Sequence, residues 1–230
     1  MNSYLLFLKE LIKFNLRLIK SVYWFIIIYF FSRRFITSKK YKDIFIICPG
    51  PSLKNFCVRS FSGSSLIIFI NHAVKISDEF NCEKLLFTAD TTRANEILSY
   101  QFNFQKIIAI GHFFQMNSSI LREFNFIVPN VKFDLKYGLV GKSCKKLVEK
   151  NIGKNCGVGF GSLLNAINFA TRFGPDTINL VGCDFGQKLS KKYAFDFNGI
   201  NSNTPFDDIF EQFLVLEEIL CKMNIKINRF

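Results

Sequence analysis

Five short, almost uninterrupted apolar runs constrain this chain more than any other feature: Ile44-Phe45-Ile46-Ile47-Cys48, Leu66-Ile67-Ile68-Phe69-Ile70, Lys84-Leu85-Leu86-Phe87, Ile107-Ile108-Ala109-Ile110 and Thr177-Ile178-Asn179-Leu180-Val181. Each has the length of a strand, and all but the last, where Thr177 and Asn179 flank Ile178, lack an alternation of apolar with polar residues. A strand that is apolar on every side is covered on both faces, which is the condition of a parallel sheet between helices. Ile225-Lys226-Ile227 is a candidate to close the set. Segments able to form helices lie between several of the runs. The expected fold is therefore α/β, a Rossmann-like, mostly parallel sheet with helices on both faces.

Two helices are well marked. From Ser162 to Phe173, Leu163, Leu164, Ile167 and Ala170 share one face and Asn165, Asn168 and Arg172 the other, with Gly174-Pro175 as a stop. Near the end, Thr204 can cap, Pro205 suits a first turn, and Asp207 and Asp208 suit the positive helix terminus. Phe210, Phe213, Leu214, Glu217 and Leu220 follow at helical spacing. Residues 115–153 are the hardest to read and are expected to hold a lid or an acceptor-binding segment.

The first forty residues are of another kind. They carry Lys9, Lys13, Arg17, Lys20, Arg33, Arg34, Lys39 and Lys40 against one acid, Glu10, with apolar residues between the bases at near-helical spacing. The uncharged stretch 21–32 is shorter than the ~20 residues of a comfortable membrane span. No small-residue cleavage site follows it, as a secretory signal would require. The expectation is a basic amphipathic helix lying on an anionic membrane surface, with Tyr23 and Trp24 at headgroup depth. A helix packed on the protein's own core and a tilted single span are the alternatives. The chain thus divides into a membrane-associating segment, 1–40, and one α/β domain, 41–230. The positive-inside bias puts that domain on the cytoplasmic face.

The formal net charge of +12 suggests an anionic partner: a nucleotide-sugar, a phospholipid surface or nucleic acid. No basic groove or motif favours nucleic acid. The seven cysteines are scattered without a C-x-x-C pair, and several sit in apolar surroundings, which reads as reduced thiols filling core space. With only His72 and His112, a histidine-based metal site is not expected.

Candidate chemistry gathers where strands end. Pro49, Gly50, Pro51 and Ser52 follow the first run, in the form of a loop whose backbone N–H groups approach phosphate oxygens. The cluster Gly157-Val158-Gly159-Phe160-Gly161-Ser162 leads into a helix, and its Gly159, Gly161 and Ser162 are candidates, with Pro49, to line the nucleotide-sugar pocket. Gly182, Cys183, Asp184 and Phe185 follow the fifth run, and Asp184 there can accept hydrogen bonds from ribose hydroxyls or a base amino group. Gly141-Lys142-Ser143 looks like the end of a P-loop, but Lys136 stands where the first glycine is required.

These residues carry a resemblance. Cys48-Pro49-Gly50-Pro51-Ser52-Leu53-Lys54 resembles the Gly-Asn-Gly-Pro-Ser-Leu start of the bacterial sialyltransferases of glycosyltransferase family 42. Val181-Gly182-Cys183-Asp184-Phe185 and Tyr193-Ala194-Phe195-Asp196 are similar to that family's Gly-Ile-Asp-Phe and Tyr-Ala-Phe-Asp blocks, in the same order. Asn71 stands where the family has an asparagine after strand two. Gly159, Gly161 and Ser162, the helix after them and the Gly182–Asp184 block also resemble the flagellar motility-associated factor transferases and their pterin-diphosphokinase-like relatives. The likeness is dispersed over roughly residues 43–196.

The resemblance implies a GT-A-like nucleotide-binding domain and a metal-independent, inverting transfer of a nine-carbon acidic sugar from a CMP donor, with no other cofactor. The acceptor would be a surface glycan or glycolipid such as lipopolysaccharide, at the bacterial inner membrane; self-association is compatible with the sequence. Gly50, Pro51, Ser52, Asn71, Gly182, Cys183, Asp184 and Phe185 would line the nucleotide pocket, and Tyr193 would hydrogen-bond the departing phosphate. A phenol suits that role because it steadies growing negative charge without titrating. The departures are specific. The family's second tyrosine is Gly186 here, its loop asparagine is Pro49, and no histidine follows His112 to serve as its general base. Carboxylates can also take the proton, so Asp90 is the first candidate base, followed by Asp196 and His72. A diphosphotransferase using ATP and magnesium, and a catalytically silent partner in a glycan-assembly complex, are the other functions compatible with this pattern.

Overall fold

The computed structural model describes residues 40–56, 65–90, 94–100, 102–110, 123–129, 161–185 and 206–230, with isolated positions 12, 15, 16, 19, 149 and 152. Four single positions and Lys40 are too few to define a helix face, so the expected amphipathic segment over 1–40 lies outside the described residues. Among the described residues, no helix is long and apolar enough to cross a membrane.

The strands are β1 (Asp43–Ile47), β2 (Leu66–Ile70), β3 (Glu83–Thr88), β4 (Gln105–Ile110), β5 (Phe126–Pro129), β6 (Thr177–Val181) and β7 (Lys226–Arg229). They form one sheet in the order β5-β4-β3-β2-β1-β6-β7, and every pairing is parallel. The five apolar runs are the five central strands, as their two-sided burial predicts. β5 was not legible: it falls within the segment expected to hold a lid, and its four residues give no run long enough to stand out. The last strand begins at Lys226 and runs on to Arg229, because Asn224, with φ of 60°, ends the preceding helix and resets the chain direction.

Alternate strand residues serve opposite faces. Ile44, Ile46, Leu66, Ile68, Ile178 and Leu180 join the core beneath α2 (Gly161–Thr171) and α3 (Phe206–Lys222). Ile47, Ile67, Phe69, Leu86 and Val181 join the core on the other face. That face is covered by a 3-10 segment, Asn71–Glu79, and by the five-residue α1 (Ala94–Leu98), which contribute Ala73, Val74, Ala94 and Ile97. Helices therefore cover both faces, unequally.

Both sequence-marked helices exist, with corrected faces. α2 packs between the sheet and α3, so its expected polar side is not a solvent face: Asn165 and Asn168 are each 1% exposed. Asn165 compensates by donating its amide Nδ2–H to the Gly161 carbonyl (2.8 Å), as a buried amide must find partners. In α3 the core stripe is Ile209, Phe213, Leu216 and Leu220, whereas Leu214 is 45% exposed. The stripe steps by four, three and four residues, and Leu214 stands one position, about 100° of helix, off it.

Candidate functional site

The order of the strands puts a crevice between β1 and β6. From β1 the chain moves to β2 on one side; from β6 it moves to β7 on the other. In an open parallel sheet, the carboxyl edge at such a reversal has no connection crossing it, and ligands gather there. The loop Cys48–Ser52 leaves β1 at this edge and Gly182–Phe185 leaves β6.

These two loops interlock. The Cys48 N–H donates to the Val181 carbonyl (2.7 Å) and the Gly50 N–H to the Gly182 carbonyl (2.9 Å), extending the β1–β6 ladder past the strands. The Ser52 N–H donates to Asp184 Oδ2 (2.9 Å), and the Leu53 N–H turns back to the Gly50 carbonyl (3.0 Å). A Cβ on Gly50 would collide with the Gly182 carbonyl oxygen and with Asp184 Oδ2; one on Gly182 would collide with the Cys48 carbonyl oxygen. The sequence suggested that Gly50 frees the backbone to approach a phosphate. The geometry gives a nearer reason: each glycine makes room for the opposite loop.

Asp184 thus fills the place of an anion against the first loop. Oδ2 holds the Ser52 N–H, and no other described residue bonds to the carboxylate. The hydroxyl Oγ of Ser52 is buried without a hydrogen-bond partner among the described residues. A buried, unsatisfied hydroxyl is costly unless a further group completes it. Phe185, with φ of 48°, carries its ring away from Asp184 onto α3, at 5.1 Å from Phe210 and 5.0 Å from Phe213. In the loop after β6 it is a packing residue that anchors the backbone of its neighbour.

No family model, curated protein or solved structure matches this chain.

A pairing that the sequence did not signal lies at the base of the crevice. Cys183 Sγ donates to Cys48 Sγ (2.8 Å), one thiol from each loop. Desolvation pushes the Cys183 thiol well above its ordinary range, and the neighbouring Cys48 thiol and Asp184 carboxylate push it further. Burial also raises Cys82, whereas Cys221 is exposed. Because the thiolate is the reactive form, among the described cysteines a maleimide at neutral pH should label Cys221 first, Cys82 more slowly and Cys183 only on unfolding. Peptide mapping after timed quenching checks the order; early labelling of Cys183 would mean that the two loops part in solution.

The remaining candidates divide into three groups. Asn71, with φ of 50°, leaves β2 at the same edge, and its Oδ1 accepts the Ser162 hydroxyl proton (3.1 Å). Ser162 Oγ in turn accepts the Ala89 N–H (2.8 Å), one residue before Asp90. So Asn71, Ser162 and the β3 terminus that carries Asp90 form one connected group. Asp90 folds back locally, its N–H donating to Thr88 Oγ1 (3.1 Å). His72 is separate from this group: it is 2% exposed, Nδ1 shares a hydrogen bond with the Tyr100 hydroxyl (3.0 Å), and Nε2 lies 3.8 Å from Glu96 Oε2. Both ring nitrogens therefore face the chain around α1. Gly159, Tyr193 and Asp196 lie outside the described residues. Among the described residues, no three His, Cys, Asp or Glu side chains gather as a metal site would need.

Proposed function

We propose that this chain is a GT-A-like, sialyltransferase-like glycosyltransferase that moves a sialic-acid-like, nonulosonic sugar from a CMP donor to a surface glycan such as lipopolysaccharide. It acts without a metal, with inversion, at the cytoplasmic face of the bacterial inner membrane. One observation carries the nucleotide part: at the β1–β6 reversal, Asp184 and Ser52 meet with a carboxylate oxygen and a buried hydroxyl both left for a ligand. In this reading the ribose hydroxyls donate to Asp184, and the Ser52 hydroxyl donates to a phosphate or sugar oxygen. The choice of CMP and of an acidic sugar rests on the sequence resemblance, and the membrane location rests on the bases and apolar residues of 1–40.

The transfer itself is a single displacement. The acceptor hydroxyl oxygen attacks the anomeric carbon and gives its proton to a side-chain base. The bond from that carbon to the phosphate oxygen breaks, and CMP leaves with the electron pair. Asp90 is the first-choice base, with Asp196 and His72 after it, and Tyr193 donates a hydrogen bond to the departing phosphate.

Calorimetric titration with CMP, CDP, UDP, GDP and ATP, each with and without magnesium, tests the reading. Preference for CMP without metal is the expected result. Binding of ATP only with magnesium would replace the proposal by a diphosphotransferase, and no nucleotide binding would replace it by a catalytically silent partner. In a transfer assay, Tyr193→Phe should cut turnover by about 10²-fold, the order of one lost transition-state donor, with little change in donor affinity; unchanged turnover removes the role given to Tyr193.

A further inference from the structure

Ser162 opens α2 at the point where the ends of β2 and β3 converge on it. Its Oγ accepts the Ala89 N–H (2.8 Å) and donates to Asn71 Oδ1 (3.1 Å). The direction of the second bond follows from proton accounting. Ser162 is 7% exposed, its oxygen already accepts the Ala89 N–H, and turning the Asn71 amide over would set a second donor against it in place of the acceptor that takes its proton. Oδ1 therefore faces Ser162, and Nδ2 with its two N–H donors is turned away from it.

The backbone beneath that amide is fixed as well. Asn71 has φ of 50°, a left-handed conformation that asparagine tolerates better than most residues. The β1–β2 register pairs Ile47 with Phe69. Asn71 follows Ile70 directly at the carboxyl end of β2, the neighbour of β1, whose own carboxyl end leads into the loop that Asp184 holds.

We infer that Ser162 is a positioning residue: it locks the Asn71 amide so that Nδ2 offers its N–H groups to an acceptor oxygen of the bound nucleotide, and it does not itself touch the ligand. This inference rests on the nucleotide reading of the crevice. It separates two residues that the sequence grouped together as pocket lining, since Asn71 contacts the ligand and Ser162 acts only through Asn71.

A double-mutant cycle tests it, using titrations of CMP and of cytidine into wild type, Ser162→Ala, Asn71→Ala and the double variant. Ser162→Ala should weaken CMP binding about three- to tenfold, the span of one ordinary hydrogen bond. Asn71→Ala should weaken it at least as much, and the double variant should bind no more weakly than Asn71→Ala alone. Ser162→Thr, which keeps the hydroxyl, should restore most of the affinity, a recovery that general loosening of α2 would not produce. A penalty seen with cytidine as well as CMP assigns the acceptor to the nucleoside; a penalty seen only with CMP assigns it to the phosphate. Either supports the relay. Additive losses from the two substitutions, or unchanged binding by Ser162→Ala, overturn it while leaving the nucleotide site standing. A wild-type protein that binds no nucleotide overturns both. Should Ser162→Ala not fold, Ser162→Cys, with its weaker donor, takes its place in the cycle.

Discussion

Gly182→Ala is expected to cost about 2–4 kcal/mol of folding stability, combining a left-handed backbone penalty with overpacking. Gly182 has φ of 69°, and an added methyl would meet the Cys48 carbonyl oxygen and crowd Leu53. For a domain of this size that loss is a fall of roughly 5–15 °C in melting temperature. Gly50→Ala separates the two causes, because Gly50 has an ordinary φ of −69° and only the crowding applies. It too should melt well below wild type, and both variants should lose nucleotide binding as Asp184 is pushed off the Ser52 N–H. Melting of both variants within a degree of wild type would show that the loops do not sit this close.

The second large effect is expected at Phe213. Its side chain is fully buried, with the ring of Phe185 at 5.0 Å and the Arg229 guanidinium 5.6 Å from its own ring. Phe213→Ala should destabilise by about 3–5 kcal/mol through lost burial and an unfilled cavity. Because Phe185 directly follows Asp184, the cavity also releases the anchor of the loop that holds the site. Nucleotide affinity should therefore fall under conditions where the variant is still folded, and Phe213→Leu should show a smaller form of both effects. Urea unfolding paired with titration at low urea reads the two separately. A destabilised variant with wild-type affinity would show that Phe185 does not support Asp184.

The sheet was legible because two-sided burial writes itself into consecutive residues: Leu66–Ile70 is apolar at every position, and all five are buried. β5 was not, since Phe126–Pro129 lies at the sheet edge and carries too few residues for a pattern. Asn165 and Asn168 misled because a helix enclosed on two sides can bury polar residues that bond to backbone, and composition alone reads them as solvent-facing. In the site, strand ends were legible and contacts across them were not. Gly50, Ser52 and Asp184 each stood out, but the bond from Ser52 to Asp184 joins residues 132 apart in sequence. The thiol contact of Cys48 with Cys183 was hidden for the same reason.

That separation bears on how the chain comes to be made. While the ribosome is still adding residues up to Thr177, β1 can pair with β2 but its other edge has no neighbour. An unpaired apolar strand edge is a template for the wrong partner, and contacts so distant in sequence form late. The strand that completes the crevice also seals the middle of the sheet. Conditions that slow elongation should therefore cost yield in this protein before they cost activity per folded molecule.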